Sequence, residues 1–85
     1  MLEKARTEID EIDAKILELL AERLKICTQL GKYKKQHALP IQNKEREKEV
    51  IRERTQKFKE LGYADEKFVS ELFEMIMKKS REVQK

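Results

Sequence analysis

Residues 2–36 carry one long helical pattern of apolar positions. The apolar residues recur mostly at intervals of three and four, which is typical of a helix that buries one face. No proline interrupts the stretch, and its one glycine is Gly31. We therefore predict a first helix over residues 2–36. Its apolar positions, here called the apolar seam, are Leu2, Ala5, Ile9, Ile12, Ile16, Leu19, Ile26, Leu30 and Tyr33.

Turn and capping residues divide the rest of the chain into two further helices. Pro40 disfavours helical backbone at the preceding residue and so ends the first helix. Asn43 and Asp65 are residue types that cap helix N-termini, and Gly62 suits the position after a helix C-terminus. The pattern predicts helices over about 44–61 and 66–84. We expect a single all-α domain over residues 1–85.

The first helix is too long for a compact monomer of this size. At 1.5 Å per residue it would measure roughly 50 Å, whereas a globule of 85 residues is about 30 Å across. The helix would therefore extend beyond the rest of its own chain. We predict that a second copy covers the exposed seam, which gives an intertwined homodimer.

Charged and polar residues interrupt the apolar stripes of all three helices. Arg23 stands where the seam calls for an apolar residue, and burying an arginine without a partner is costly. Lys34 lies eleven residues later, which places it within about 20° of Arg23 and roughly 16 Å along the axis. These two side chains could hold one small molecule between them. The other polar residues in phase with the stripes are Glu47, Ser80 and Gln84, and Arg46 borders the set.

Arg6 lies on the same helix but too far away to serve that site. Its distance from Arg23 along the axis is about 25 Å, and its distance from Lys34 is about 42 Å. An antiparallel partner chain could deliver it.

Composition and missing motifs disfavour several classes of function. The chain has 39% hydrophobic and 44% charged residues with a net charge of +3, but acidic and basic residues are mixed, which disfavours nucleic-acid binding. It lacks a nucleophilic triad, a phosphate-binding loop and a Cys/His metal cluster, so we expect no metal and no cofactor. Cys27 is the lone cysteine, and no apolar run could span a membrane, so we expect a cytoplasmic protein without membrane contact. The remaining cations and hydrogen-bond donors suit a small polyanion that rearranges without covalent help.

Six short motifs in order resemble the all-helical chorismate mutases of the AroQ type, over essentially the whole chain. The first helix carries Arg6-Thr7-Glu8-Ile9-Asp10-Glu11-Ile12-Asp13, Leu19-Leu20-Ala21-Glu22-Arg23 and Gly31-Lys32-Tyr33-Lys34. Pro40-Ile41, Arg46-Glu47 and the pair Ser80 and Gln84 complete the match. One departure is Asn43, where the family commonly has an aspartate. The resemblance implies an intertwined homodimer that rearranges chorismate to prephenate in aromatic amino-acid biosynthesis.

The resemblance also implies roles for individual residues. Arg23 and the partner's Arg6 would hold the two carboxylates of the substrate, and Lys34 and Gln84 would donate to its ether oxygen. Glu47 would accept from the ring hydroxyl, with Lys34 and Arg46 nearby, and Ser80 would bind a carboxylate or the hydroxyl region. The implied catalytic residues are Arg23, Lys34, Glu47 and Gln84, and Asn43 belongs to the substrate-binding region. No second catalytic domain is attached, so we expect a monofunctional enzyme.

Two alternatives remain open from the sequence. An isochorismate–pyruvate lyase would share the fold, the arginines and the lysine, but Glu47 favours the mutase. A non-catalytic helical dimer serving docking or regulation would leave the polar residues in the stripes unexplained.

Overall fold

The computed structural model describes all residues 1–85 and consists of three helices. They are α1 (Leu2–Gln36), α2 (Lys44–Glu60) and α3 (Glu66–Gln84), which confirms the predicted all-α fold. The second helix ends one residue earlier than predicted. Leu61 is its C-cap, and the Leu61 backbone N–H still bonds to the carbonyl oxygens of Lys57 and Phe58 at 3.1 Å. None of the three helices combines the length and the apolar character that a membrane span requires.

The predicted caps form as hydrogen bonds at both internal helix starts. The Asn43 side-chain oxygen accepts from the backbone N–H of Arg46 at 3.0 Å, and Asp65 accepts in the same way from Phe68 at 3.1 Å. Each cap satisfies a backbone donor that the first turn of a helix leaves free. Gly62 has a φ of 103°, a conformation that glycine adopts without steric cost, and it ends α2.

The third helix lies between the other two. Both α1 and α2 pack on α3, while the backbones of α1 and α2 do not approach each other. The buried apolar residues are Val50 of α2 and Val69 and Met77 of α3, so the core is small. This arrangement leaves a gap between α1 and α2 whose floor is α3.

The first half of α1 has no partner within the chain. Every residue from Met1 to Leu19 is exposed, and Ile9 and Ile12 each keep 55% of their accessible surface. The longest dimension of the molecule is 54 Å, as expected of a nearly straight helix of 35 residues. The helix therefore extends beyond the other two, as its length predicts.

The apolar seam does not face the bundle as a single stripe. The less exposed residues of α1 are Leu20, Arg23, Leu24, Cys27, Gly31 and Lys34, which form one face turned toward α3. Leu19, Ile26, Leu30 and Tyr33 lie about 100° further around the helix and stay exposed. Assigning Arg23 to the same stripe as Leu19 and Ile26 was therefore wrong. Arg23 belongs to the face that packs on α3.

Candidate active site

A cavity of about 180 Å³ lies between α1 and α2 above α3. Side chains from all three helices and from the connection before α2 line it. The lining residues named from the sequence are Arg23, Lys34, Asn43, Arg46, Glu47, Ser80 and Gln84. Seven of the eight predicted site residues thus surround one space. The eighth, Arg6, lies on the exposed half of α1 and does not reach this cavity.

Arg23 is held by the third helix. Its guanidinium Nη1 donates to the hydroxyl oxygen of Ser80 and lies 3.8 Å from the sulfur of Cys27. Ser80 is buried, and its hydroxyl in turn donates to the carbonyl oxygen of Ile76 at 2.8 Å. A guanidinium carries five N–H donors, so most of them remain free to bind an anion in the cavity.

Lys34 and Gln84 meet at the other end of the cavity. The Lys34 ammonium donates to the side-chain oxygen of Gln84 and to the backbone oxygen of Ile41, both at 2.8 Å. The Gln84 amide nitrogen donates to the backbone oxygen of Ser80 at 3.1 Å. Gln84 is therefore placed by α1 and by its own helix, although it is the last residue of α3.

Gly31 permits this meeting of α1 and α3. A Cβ atom at Gly31 would lie 2.6 Å from both the Cα and the backbone oxygen of Gln84. No real Cβ contact is that short, and the atoms it would meet are backbone atoms that cannot rotate away. Gly31 is one turn before Lys34, so the close approach of the backbones brings the two polar side chains together.

Glu47 is oriented by residues that the sequence analysis did not select. Its Oε2 accepts from Arg81 Nη1 of α3 at 2.6 Å, and its Oε1 accepts from Gln42 Nε2 at 3.2 Å. The expected neighbours, Lys34 and Arg46, form no hydrogen bond with it. Arg46 instead pairs with Glu49, one turn further along α2.

The pairing of charges around the cavity leaves two cations without a carboxylate. Five basic side chains line it, and three of them are paired: Arg46 with Glu49, Arg54 with Glu53, and Arg81 with Glu47. Arg23 and Lys34 form no salt bridge and bond only to neutral acceptors. Both are half-buried, which makes a missing counter-ion costly. The cavity is therefore suited to a ligand with negative charge.

Arg81 and Gln42 were missed because helical phase alone does not find them. Arg81 lies about 100° from Ser80 around α3, and Gln42 lies in the connection before α2. The only sequence signal for Arg81 is its position three residues before Gln84, on the same side of the helix. Its partner becomes visible only when α2 is packed on α3.

The structure is therefore an all-α fold with a cavity in which Arg23 and Lys34 have no carboxylate partner, an arrangement suited to a small anion. The sequence model of type II chorismate mutase matches residues 5–85, so the chain belongs to that family. The predicted family is confirmed, and a relative named as a chorismate mutase supports the predicted enzyme class, an isomerase.

Three comparisons illustrate the relationship. The chain is 36% identical to the chorismate mutase of Methanocaldococcus jannaschii over 99% of its own length and 84% of that protein. It is 43% identical to the T-protein of Haemophilus influenzae over 62% of its length, but it spans only 14% of that longer relative. A solved structure of a conserved hypothetical protein from Pyrococcus furiosus matches with a TM-score of 0.79 at 40% identity, covering 99% of this chain and 95% of that one.

Proposed function

We propose that this domain, residues 1–85, converts chorismate to prephenate. The reaction is an intramolecular rearrangement in which a carbon–carbon bond forms while the ether C–O bond breaks, and no proton or electron is exchanged with the protein. The enzyme has to hold a compact conformer and stabilise the charge that develops on the ether oxygen.

The observation that carries the proposal is the pair of cations without carboxylate partners. Arg23 and Lys34 face one cavity and are held by neutral acceptors, and chorismate is a small dianion. A guanidinium binds a carboxylate through two parallel hydrogen bonds, which fixes the orientation of the ligand. We assign Arg23 to one carboxylate of the substrate. Ser80 accepts a hydrogen bond from Arg23 and borders the place where this carboxylate would bind.

We assign Lys34 and Gln84 to the ether oxygen. The Lys34 ammonium nitrogen and the Gln84 side-chain oxygen lie 2.8 Å apart, so both side chains reach the same part of the cavity. The Lys34 ammonium has three donors, two of which are occupied, and the Gln84 amide has a second N–H. Removing one such donor from an enzyme site costs about 3–4 kcal/mol. Two such donors, together with restraint of the substrate in a compact conformer, would reach the roughly 8 kcal/mol that a millionfold acceleration requires.

We assign Glu47 to the ring hydroxyl of the substrate. It is the one carboxylate lining the cavity, and a carboxylate offers about four acceptor positions, two of which are occupied here. This residue also favours the mutase over an isochorismate–pyruvate lyase, which is expected to lack it. Asn43 and Arg46 border the cavity, but Asn43 already serves as a helix cap and Arg46 pairs with Glu49.

A second copy of the chain would complete the site. The exposed half of α1 carries apolar residues that no part of its own chain covers, and exposed apolar patches of this kind mark interfaces. An antiparallel copy would bury them and bring its Arg6 to the cavity, where a second cation is needed for the second carboxylate. The homodimer, its location in the cytoplasm and the absence of a cofactor stay predictions.

The decisive experiment is to follow chorismate consumption by the purified protein and to identify the product. We expect prephenate to form in proportion to enzyme concentration. The same protein should not release pyruvate from isochorismate. Chorismate that stays intact at high enzyme concentration would overturn the proposal and favour a non-catalytic helical dimer.

A further inference from the structure

We propose that Arg81 is a positioning residue that orients the Glu47 carboxylate toward the substrate. This inference rests on the proposed function, because it concerns how the same site holds its hydroxyl acceptor. Arg81 acts through Glu47, so its contribution is the geometry of that carboxylate.

The geometry shows a carboxylate held from two sides. Arg81 Nη1 of α3 contacts Glu47 Oε2 at 2.6 Å, and Gln42 Nε2 contacts Glu47 Oε1 at 3.2 Å. Each oxygen thus has one protein donor and keeps one acceptor position free. The glutamate side chain has three rotatable bonds, and two opposed donors select one of its conformers.

The environment of this pair differs from that of the surface ion pairs. The side chains of Arg81 and Glu47 keep 28% and 24% of their accessible surface, whereas the surface pair of Lys67 and Glu71 keeps 86% and 66%. Arg81 and Glu47 are 34 positions apart in the sequence, so their ion pair joins two different helices. Both residues line the cavity. An exposed ion pair within one helix holds neither partner in place. The ion pair with Arg81, by contrast, fixes the position of the Glu47 side chain at the proposed site.

Charge gives a second reason for the assignment. Without Arg81, Glu47 would have Gln42 as its only hydrogen-bond partner, and the half-buried cations Arg23 and Lys34 line the same cavity. A mobile carboxylate there could pair with one of these cations and block the anion site. Arg81 keeps Glu47 engaged, so the two unpaired cations stay available.

The test is a double-mutant cycle between Arg81 and Glu47. We expect Arg81→Met to lower kcat/KM about tenfold and Glu47→Gln to lower it about a hundredfold, while the double variant is no worse than Glu47→Gln alone. Arg81→Lys should recover part of the loss, because a lysine keeps the charge but not the planar geometry. Lys67→Met removes a cation from the same helix at an exposed pair and serves as the matched control, with unchanged kcat/KM.

Two results would overturn the inference. One is an additive cycle, in which the loss from Arg81→Met persists in the Glu47→Gln background, since Arg81 would then act on the substrate or on the fold. The other is an Arg81→Met protein with wild-type kcat/KM.

A crystal structure of the Arg81→Met variant tests the inference without any activity. We expect the Glu47 carboxylate to leave its position or to become disordered, with α2 and α3 unchanged. A carboxylate that stays on Gln42 in the same conformer contradicts the positioning role, whatever reaction the protein catalyses. A wild-type protein that is inactive toward chorismate would instead count against the proposed function alone.

Discussion

Gly31 is the residue whose smallness matters most for the site. Glycine within a helix costs about 1 kcal/mol relative to alanine, and α1 accepts that cost where the backbone of Gln84 comes close. The contact lies one turn from Lys34, so the packing of two backbones decides the distance between two polar side chains. A residue without a side chain thus controls the geometry of a site to which it contributes no functional group.

Gly31→Ala should impair activity more than stability. The added methyl group clashes with backbone atoms of Gln84, but that residue ends α3, so the last turn can move aside. We expect an approximately tenfold to hundredfold fall in kcat and a change in unfolding free energy of less than about 2 kcal/mol, since overpacking and improved helix propensity oppose each other.

Steady-state kinetics and thermal unfolding measure the two effects of Gly31→Ala. Ala21→Ser is the matched control, because it adds one atom at an exposed position of the same helix. A variant with full activity would show that the contact between Lys34 and Gln84 does not matter for catalysis.

Arg23→Ala tests the assignment of the carboxylate-binding arginine. Losing its contacts to a substrate carboxylate should reduce kcat/KM by about 100-fold to 1,000-fold, equivalent to about 3–4 kcal/mol. Helix content should not change, because alanine is the best helix former. Circular dichroism checks the fold, and Arg52→Ala removes an exposed arginine outside the cavity as a control. Wild-type turnover in Arg23→Ala would refute the site.

At the scale of elements, α1 combines two surfaces with different partners. Its C-terminal half packs on α3 and presents Arg23 and Lys34 to the cavity. Its N-terminal half is exposed on every side, and its apolar residues have no contact within the chain that could explain them. A helix of this kind needs tertiary partners for most of its stability, which supports the proposal of a second copy.

Ile12→Glu should separate the proposed dimer. Ile12 keeps 55% of its surface in one chain, so a charge there costs little unless a partner covers it. We expect sedimentation equilibrium to report a dimer for the wild type and a monomer for Ile12→Glu, with a lower unfolding midpoint. Ala14→Glu places the same charge on the opposite side of α1 and should leave the dimer intact. A dimeric Ile12→Glu protein would exclude this surface as the interface.

At the scale of the whole molecule, the question is whether one chain holds a complete site. The cavity contains two cations without carboxylate partners, and Arg6 lies about 25 Å from Arg23 along a nearly straight helix. In a symmetric dimer each chain would give its Arg6 and receive that of its partner. The roughly 25 Å between Arg6 and Arg23 is then the distance over which one helix serves two sites.

Mixing two inactive variants tests the shared site. Arg6→Ala and Lys34→Ala chains should each be inactive, and a mixed dimer would contain one site with both residues intact. Random exchange of subunits should restore about a quarter of the wild-type activity. The measurement is turnover after unfolding and refolding the 1:1 mixture, with each variant refolded alone as the control. No recovery, once mixed dimers are detected, would count against Arg6 acting across chains.

The sequence by itself determined the features that depend on local chemistry. Apolar periodicity and capping residues set the three helices to within one residue, as the caps at Asn43 and Asp65 illustrate. The spacing of Arg23 and Lys34 placed both on one side of α1, because helix geometry is regular over eleven residues. Ordered short motifs identified the family.

Only the tertiary structure decided which surfaces meet. The sequence shows one apolar seam on α1, but the face that packs on α3 is the one that includes Arg23, and Leu19 and Ile26 stay exposed. The contact of Arg81 with Glu47 joins residues 34 positions apart, and the cost of a Cβ at Gly31 comes from Gln84 at the far end of the chain. Such pairings follow from the positions of whole helices, which no local pattern encodes.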